Sequence, residues 1–150
     1  MFYKMWKMGR TRLTNHLEEI KAEHLLNRLH LDSNSVGWML RHIAEVELLF
    51  AKNVFGRDLA VKAQTIGSIA KDRGQYDEIQ PLFDLIEKAE QELGKAIQEI
   101  EDWEGEVTTA EFGTVTKAEA LARIMTHTAW HSGQLKLAVK YGKNSKNNSN

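Results

Sequence analysis

Residues 116–141 read TKAEALARIMTHTAWHSGQLKLAVKY and carry the clearest structural signals of the chain. Thr116 and Glu119 have the spacing of a capping box, in which two side chains bind backbone N–H groups at the start of a helix. Gly142 follows the segment, as a glycine at the end of a helix does. Between these ends runs an apolar stripe at helical spacing, formed by Leu121, Ile124, Leu135 and Ala138. We therefore predict a long amphipathic helix that begins after Thr116 and ends before Gly142.

Three earlier segments have the same helical periodicity, and they span about 2–26, 36–54 and 81–100. Pro81 fits the first turn of its segment, where the missing N–H costs no hydrogen bond. Residues 32–35 supply N-cap side chains for the second segment, and Gly56 follows its end. The sequence thus predicts four long helices.

The segments between these helices are long and irregular. Residues 57–80 predict a connection with one short helical piece, and residues 102–115 predict a second connection with a small hairpin. Residues 142–150 are lysine, asparagine and serine around one glycine, so we expect a disordered tail. We predict an all-α four-helix bundle, formed by a single domain over residues 1–141, with longer connections between helices 2 and 3 and between helices 3 and 4.

The charge balance argues against several partners. The chain has 150 residues with 20 Lys plus Arg and 21 Asp plus Glu, so it lacks the basic field that nucleic-acid binding requires.

No apolar run approaches the roughly 20 residues that span a bilayer, and no signal peptide is evident, so we expect a soluble cytoplasmic protein. Four basic residues near the start are expected on a solvated helix face rather than at a phosphate: Lys4, Lys7, Arg10 and Arg12.

The chain contains no cysteine. This excludes disulfide bonds, zinc fingers, iron–sulfur clusters and a cysteine nucleophile. Metal chemistry would depend on imidazole, carboxylate and water, and any reacting thiol would have to arrive as a small molecule.

Six histidines therefore become the candidates for metal binding. His127 and His131 are four residues apart, and four residues turn about 400°, so both imidazoles lie on one helix face beside the apolar stripe. His42 lies on the inward face of the second helix and would supply a third ligand. The alternative is that these are core histidines satisfied by hydrogen bonds. The others are expected at the surface or as caps: His16, His24 and His30.

Further residues near these histidines have two interpretations each. Glu45, one turn beyond His42, is a candidate catalytic base or a solvated, ion-paired carboxylate. Gln134 either orients a ligand or substrate, or donates a hydrogen bond between helices. Trp130 is expected in the core or at a dimer interface. Thr128 stands where a zincin needs glutamate, and no histidine has a glutamate three residues earlier, so zincin and di-iron sites are excluded.

Two segments resemble the signatures of the DinB-like (DinB/YfiT) superfamily. They are WMLRHIAE at 38–45 and HTAWHSGQL at 127–135, which match its histidine in helix 2 and its H-x-x-x-H pair followed by Gly-Gln-Leu. The resemblance implies an up-down-down-up bundle that forms a homodimer and binds a divalent metal such as nickel, zinc or iron through His42, His127 and His131. Characterised members include thiol-dependent transferases and isomerases, while many have no assigned reaction.

The function expected from these observations is a metal-dependent enzyme acting on a small molecule, either a transferase or isomerase that uses a low-molecular-weight thiol or a hydrolase. The alternative is a non-catalytic stress-response or partner-binding bundle whose metal is structural or absent. A site closed by a fourth ligand such as Glu45 would favour the alternative, and an open pocket would count against it. A nucleic-acid-associated protein is suggested only by the superfamily's damage-inducible name.

Overall fold

The computed structural model describes residues 1–144, most of which lie in four helices. The helices are α1 (Phe2–Leu17), α2 (Val36–Asn53), α3 (Ile79–Glu99) and α4 (Lys117–Tyr141). This confirms the all-α bundle predicted from the sequence. Within residues 1–144, no helix has both the length and the apolar character that crossing a membrane demands.

Two predicted helix starts, those of α2 and α4, are confirmed, and both have the capping side chains predicted from the sequence. The Ser35 hydroxyl accepts a hydrogen bond from the backbone N–H of Trp38 at the start of α2. At the start of α4, Thr116 and Glu119 form the capping box in both directions. Local hydrogen-bond chemistry therefore sets both starts, and these two helices carry the candidate metal ligands.

Two short antiparallel strand pairs join segments outside the helices. The predicted hairpin is present as β2 (Glu106–Thr109) and β3 (Gly113–Thr116). The other pair joins β1 (Asn27–Arg28) to β4 (Lys143–Asn144). The tail expected from residue 142 onward is therefore paired through Asn144, because the end of α4 brings it beside β1. The rest of that tail, residues 145–150, lies outside the described residues.

The first helix is shorter than its periodicity predicted. We expected it to run to residue 26, but α1 ends at Leu17 and a separate 3₁₀ helix covers Ala22–His24. The chain turns so that both Ile20 and Leu25 are buried, and the Leu25 carbonyl accepts a hydrogen bond from the Gly37 N–H at the start of α2. Packing against α2 therefore outweighs local helix propensity here.

The helix directions follow from side-chain contacts and confirm the up-down-down-up order. Gly9 lies against Met125, and the later His16 bonds the later Ser132, so α1 and α4 are parallel. Arg10 reaches Ile86 whereas the earlier Trp6 lies against the later Gly94, which makes α1 and α3 antiparallel.

The helix α2 runs antiparallel to α4 and therefore parallel to α3. Leu40 and Leu135 share one core cluster, whereas the later Ala51 and the earlier Ile124 share another. Because α2 and α3 are parallel, residues 54–78 must travel back along the bundle. A second 3₁₀ helix, Gly67–Ile69, provides the short helical piece predicted in this connection.

A buried ionic layer crosses the bundle between the two apolar clusters. Arg10 is 2% exposed, and its guanidinium donates to the Glu47 carboxylate, to Glu90 and to the Ile86 carbonyl. Thr128 on α4 also donates to Glu47. The prediction that Arg10 lies on a solvated face is therefore wrong, because a buried carboxylate from α2 provides its partner.

Candidate metal centre

Three imidazoles converge where α2 meets α4. One nitrogen from each of His42, His127 and His131 lies within 4.8 Å of the other two. The Nε2 atoms of His42 and His127 are 3.1 Å apart. The spacing of His127 and His131 on α4 places them together, as predicted, and the antiparallel packing of α2 brings His42 opposite them. The structure thus brings together the three ligand candidates taken from the sequence.

A hydrogen-bonded chain holds His42 from behind. The Thr65 hydroxyl donates to Glu45 Oε2 over 2.5 Å, and the Thr65 oxygen lies 3.1 Å from His42 Nδ1. Because the hydroxyl proton is directed to Glu45, the Thr65 oxygen accepts from Nδ1–H, which leaves the lone pair on Nε2. Trp38 stacks on the ring at 4.7 Å between centroids. His42 is therefore oriented with Nε2 directed to the other two histidines.

His131 on α4 is also oriented by a hydrogen bond to its Nδ1. His131 Nδ1 lies 2.7 Å from the side-chain oxygen of Gln134, which accepts a hydrogen bond and leaves His131 Nε2 with its lone pair. This matches the orienting role considered for Gln134. His127 differs, because its buried Nδ1 has no hydrogen-bond partner among residues 1–144. Such a group costs about 1–3 kcal/mol and is typical of a functional site.

The surroundings keep the three imidazoles neutral. Burial lowers the pKa of His42 to about 4, with a further contribution from His131. Burial also lowers the pKa of His127 to about 3, together with the charges of His131 and His42. Burial lowers the pKa of His131 as well, against the opposing effect of Gln134. Neutral imidazoles at pH 7 are the form that binds metal ions.

The three histidines line one wall of an open cavity of about 1050 Å³. Its other walls come from α2, from the turn between β2 and β3, and from the outer face of α4. Most of the lining is apolar, including Val46, Leu49, Phe50, Val54 and Phe112. A cavity of this size and character is suitable for a small molecule.

The chain matches one known protein family over most of its length. The model of the DinB superfamily matches residues 5–135, which include all four helices in whole or in large part. The chain belongs to the DinB superfamily. No curated protein and no solved structure matches it.

The histidine cluster of this DinB-superfamily chain fits a divalent ion by its own geometry. Two imidazole nitrogens that each lie about 2.0–2.1 Å from one tetrahedral ion are about 3.3–3.4 Å apart, close to the 3.1 Å between His42 and His127. Nδ1 of His42 and Nδ1 of His131 are engaged elsewhere, which leaves Nε2 of each ring as the nitrogen that can coordinate an ion. Three neutral nitrogen donors of this kind suit zinc, nickel or iron.

The remaining candidates lie elsewhere or have other contacts. Glu45 is 1% exposed, and its carboxylate accepts from Arg41, from the backbone of Gln64 and from Thr65. It therefore reaches His42 only through Thr65, and its role as a catalytic base stays a prediction. Trp130 is 68% exposed at the cavity, so the core position is wrong, and the alternative of a dimer interface stays a prediction.

The other three histidines are only partly as expected. The ring of His24 accepts from the Lys21 N–H as a cap of the first 3₁₀ helix, and His30 is exposed, so these two match the expected capping and surface positions. His16 instead contacts the buried hydroxyl of Ser132.

Sequence reasoning missed Thr65. It lies in an irregular connection, 23 residues after His42, and no local pattern marks it as a partner of the histidine.

Proposed function

We propose that this protein is a divalent-metal-dependent enzyme in which His42, His127 and His131 hold nickel, zinc or iron. The observation that supports this most strongly is the convergence of three imidazole nitrogens within 4.8 Å at the wall of a large cavity. Three protein ligands leave at least one coordination position for a substrate. When bound, the ion supplies a Lewis-acid centre that favours the deprotonated form of a thiol or of water.

The protein's own residues prepare this centre. Thr65 and Gln134 orient His42 and His131, and burial keeps the imidazoles unprotonated. The apolar side chains that line the cavity favour burial of the apolar part of a bound substrate. Because the chain has no cysteine, a thiol-dependent reaction would draw its sulfur from a low-molecular-weight cosubstrate.

A purely structural metal is the competing function, and the contacts of Glu45 argue against it. Structural sites are closed by a fourth protein ligand, and Glu45 was the candidate for that position. Its carboxylate is held by Arg41 and by the backbone of residues 64–65. The cavity beside the histidines also favours a centre that substrate reaches.

Metal analysis of the purified protein tests the proposal directly. After reconstitution with zinc or nickel, we expect about one ion per chain in the wild type and less than about a tenth of that in His127→Ala. His30→Ala is the matched control, because His30 lies outside the cluster and should leave the metal content unchanged. Equal metal content in wild type and His127→Ala would contradict the proposal.

The class of reaction requires its own assay. Loaded protein should accelerate either the loss of a small thiol in the presence of an alkylating electrophile, or the hydrolysis of an activated ester. The protein contributes no thiol to a sulfhydryl titration, so the first reaction can be followed without correction. A loaded wild type that is no faster than His127→Ala in a panel of both reactions would favour a structural metal.

A further inference from the structure

The cavity beside the histidines has one strongly polar feature that metal binding does not require. Arg123 lies on α4 one turn before His127, which corresponds to a rise of about 6 Å along the helix. Its guanidinium carbon lies 5.0 Å from the centroid of the Phe112 ring, which belongs to the turn between β2 and β3. Stacking on an aromatic face holds the planar group at the cavity wall.

This guanidinium is not neutralised by the protein. No ion pair within residues 1–144 includes Arg12, Arg73 or Arg123, and of these three arginines only Arg123 lines the cavity. Glu111 also lines the cavity but does not form an ion pair with Arg123. Arg123 is also the one lysine or arginine among the described lining residues. A cation without a carboxylate partner is therefore available to a ligand.

The surrounding walls limit what that ligand can be. Side chains from α2 and Ile66 present apolar surface between the histidines and the hairpin. An apolar molecular body is favoured there, because its burial removes apolar surface from water. A planar guanidinium matches a carboxylate through two parallel hydrogen bonds. The nearby Glu111 carboxylate disfavours a ligand of higher negative charge.

We infer that the substrate is an amphipathic carboxylic acid whose carboxylate binds Arg123, while its reacting group lies at the three histidines and its apolar body fills the cavity. This inference rests on the proposed function, since it assigns the substrate class of the same site. Arg123 then selects the substrate and determines where its reacting group lies relative to the three histidines.

Hydroxamates bind metal ions whatever reaction the enzyme catalyses, so they can test the carboxylate site before the reaction is known. The probes are the monohydroxamates of glutaric, adipic and pimelic acid, each compared with the analogue in which a carboxamide replaces the free carboxylate. In zinc-loaded wild type, we expect at least one acid to bind about three- to tenfold more tightly than its amide. The preference should decline with added salt, because Arg123 is exposed.

Variants locate the source of that preference. Arg123→Gln should bind each acid and its amide equally, with the amide affinity of the wild type retained. Arg12→Gln is the matched control, because Arg12 is an exposed arginine on α1 that does not line the cavity. Equal binding of acids and amides by loaded wild type, or a preference retained in Arg123→Gln, would overturn the inference.

A metal-free titration separates this inference from the proposed function. Octanoate, but not octanamide, should shift the side-chain Nε–H resonance of Arg123 in metal-free protein, with the resonance assigned through Arg123→Gln. If the protein binds no metal, the proposed function fails and this titration still decides the carboxylate site. If metal binds but octanoate and octanamide give the same response, the carboxylate site fails and the metal centre stands.

Discussion

One hydroxyl group, that of Thr65, joins a buried carboxylate to the histidine cluster. Thr65 donates to Glu45 and accepts from His42, so the direction of both hydrogen bonds is determined by the carboxylate, which can only accept. The same carboxylate binds the backbone N–H groups of Gln64 and Thr65. Glu45 thereby holds this part of the connection against α2 and determines which nitrogen of His42 carries its proton.

Removal of that hydroxyl should weaken the metal centre without changing any ligand. In Thr65→Val, His42 Nδ1–H loses its acceptor, so we expect zinc affinity to fall about 10–100-fold in a competition titration with a chromophoric chelator. The nitrogen chemical shifts of His42 should also change from one tautomer to a mixture of two.

Thr65→Ser keeps the hydroxyl and is the matched control. It should retain the tautomer of His42 and zinc affinity within about threefold of the wild type. A Thr65→Val protein with unchanged affinity and an unchanged His42 tautomer would show that Thr65 does not position the histidine.

At the scale of the helices, the ionic layer ties all four elements together. Arg10 from α1 donates to Glu47 from α2 and to Glu90 from α3, and the Thr128 hydroxyl from α4 donates a further hydrogen bond to Glu47. Glu47 is fully buried, so its charge is tolerated only with these partners. Because the bonded side chains come from four different helices, the ionic layer fixes how these helices are placed relative to one another.

Neutralising this carboxylate should be costly. In Glu47→Gln, the guanidinium of Arg10 remains buried with only Glu90 as a charged partner, so we expect the free energy of unfolding to fall by about 3–5 kcal/mol. Urea denaturation followed by circular dichroism measures this. The exposed Glu87 on α3 provides the control, since Glu87→Gln should change stability by less than about 0.5 kcal/mol.

A double variant shows whether the loss comes from the unpaired charge. Arg10→Met with Glu47→Leu replaces both charges with apolar groups of similar size, and it should lose less stability than Glu47→Gln alone. A double variant that is less stable than the single one would indicate that the pair itself, and not the orphaned cation, supplies the stability.

Prediction from the sequence succeeded where an element is defined by its own residues. The start of α4 follows from Thr116 and Glu119, three residues apart, and the hairpin follows from its glycines and threonines. It failed at the end of α1, because the break there serves the burial of Ile20 and Leu25 against other elements. Periodicity cannot report such a break, since the apolar residues on both sides keep a helical spacing.

For the whole molecule, burial of neutral imidazoles makes stability depend on pH. The pKa of His42 is lowered to about 4 and that of His127 to about 3, from 6.5 in the unfolded chain. At pH values between these lowered pKa values and 6.5, the unfolded state binds more protons than the native state. The free energy of unfolding therefore falls as the pH decreases below 6.5. We expect metal-free protein to lose about 2 kcal/mol between pH 7.5 and 5.5, measured by urea denaturation.

The histidines change the free energy of unfolding at higher pH than the carboxylates do. Glu90, whose pKa is lowered from 4.5 by Lys7 and Arg10 despite its burial, affects stability only at lower pH. A variant with His42→Gln and His127→Gln should therefore show a flatter profile above pH 5.5, whereas His30→Gln should keep the wild-type slope. A wild type whose stability is constant between pH 7.5 and 5.5 would contradict the burial of neutral histidines.

The sequence by itself determined the four helices, the capped starts of α2 and α4, and the pairing of His127 with His131, because each of these depends on residues within a few positions of one another. The position of His42 opposite that pair also needed the superfamily resemblance. Only the tertiary structure decided the contacts that complete the site. Thr65 reaches His42 across 23 positions and Arg10 reaches Glu47 across 37, and Arg123 meets Phe112 only because the hairpin folds over α4. Such contacts depend on how the helices pack and on the path of the long connection, and no local pattern records either.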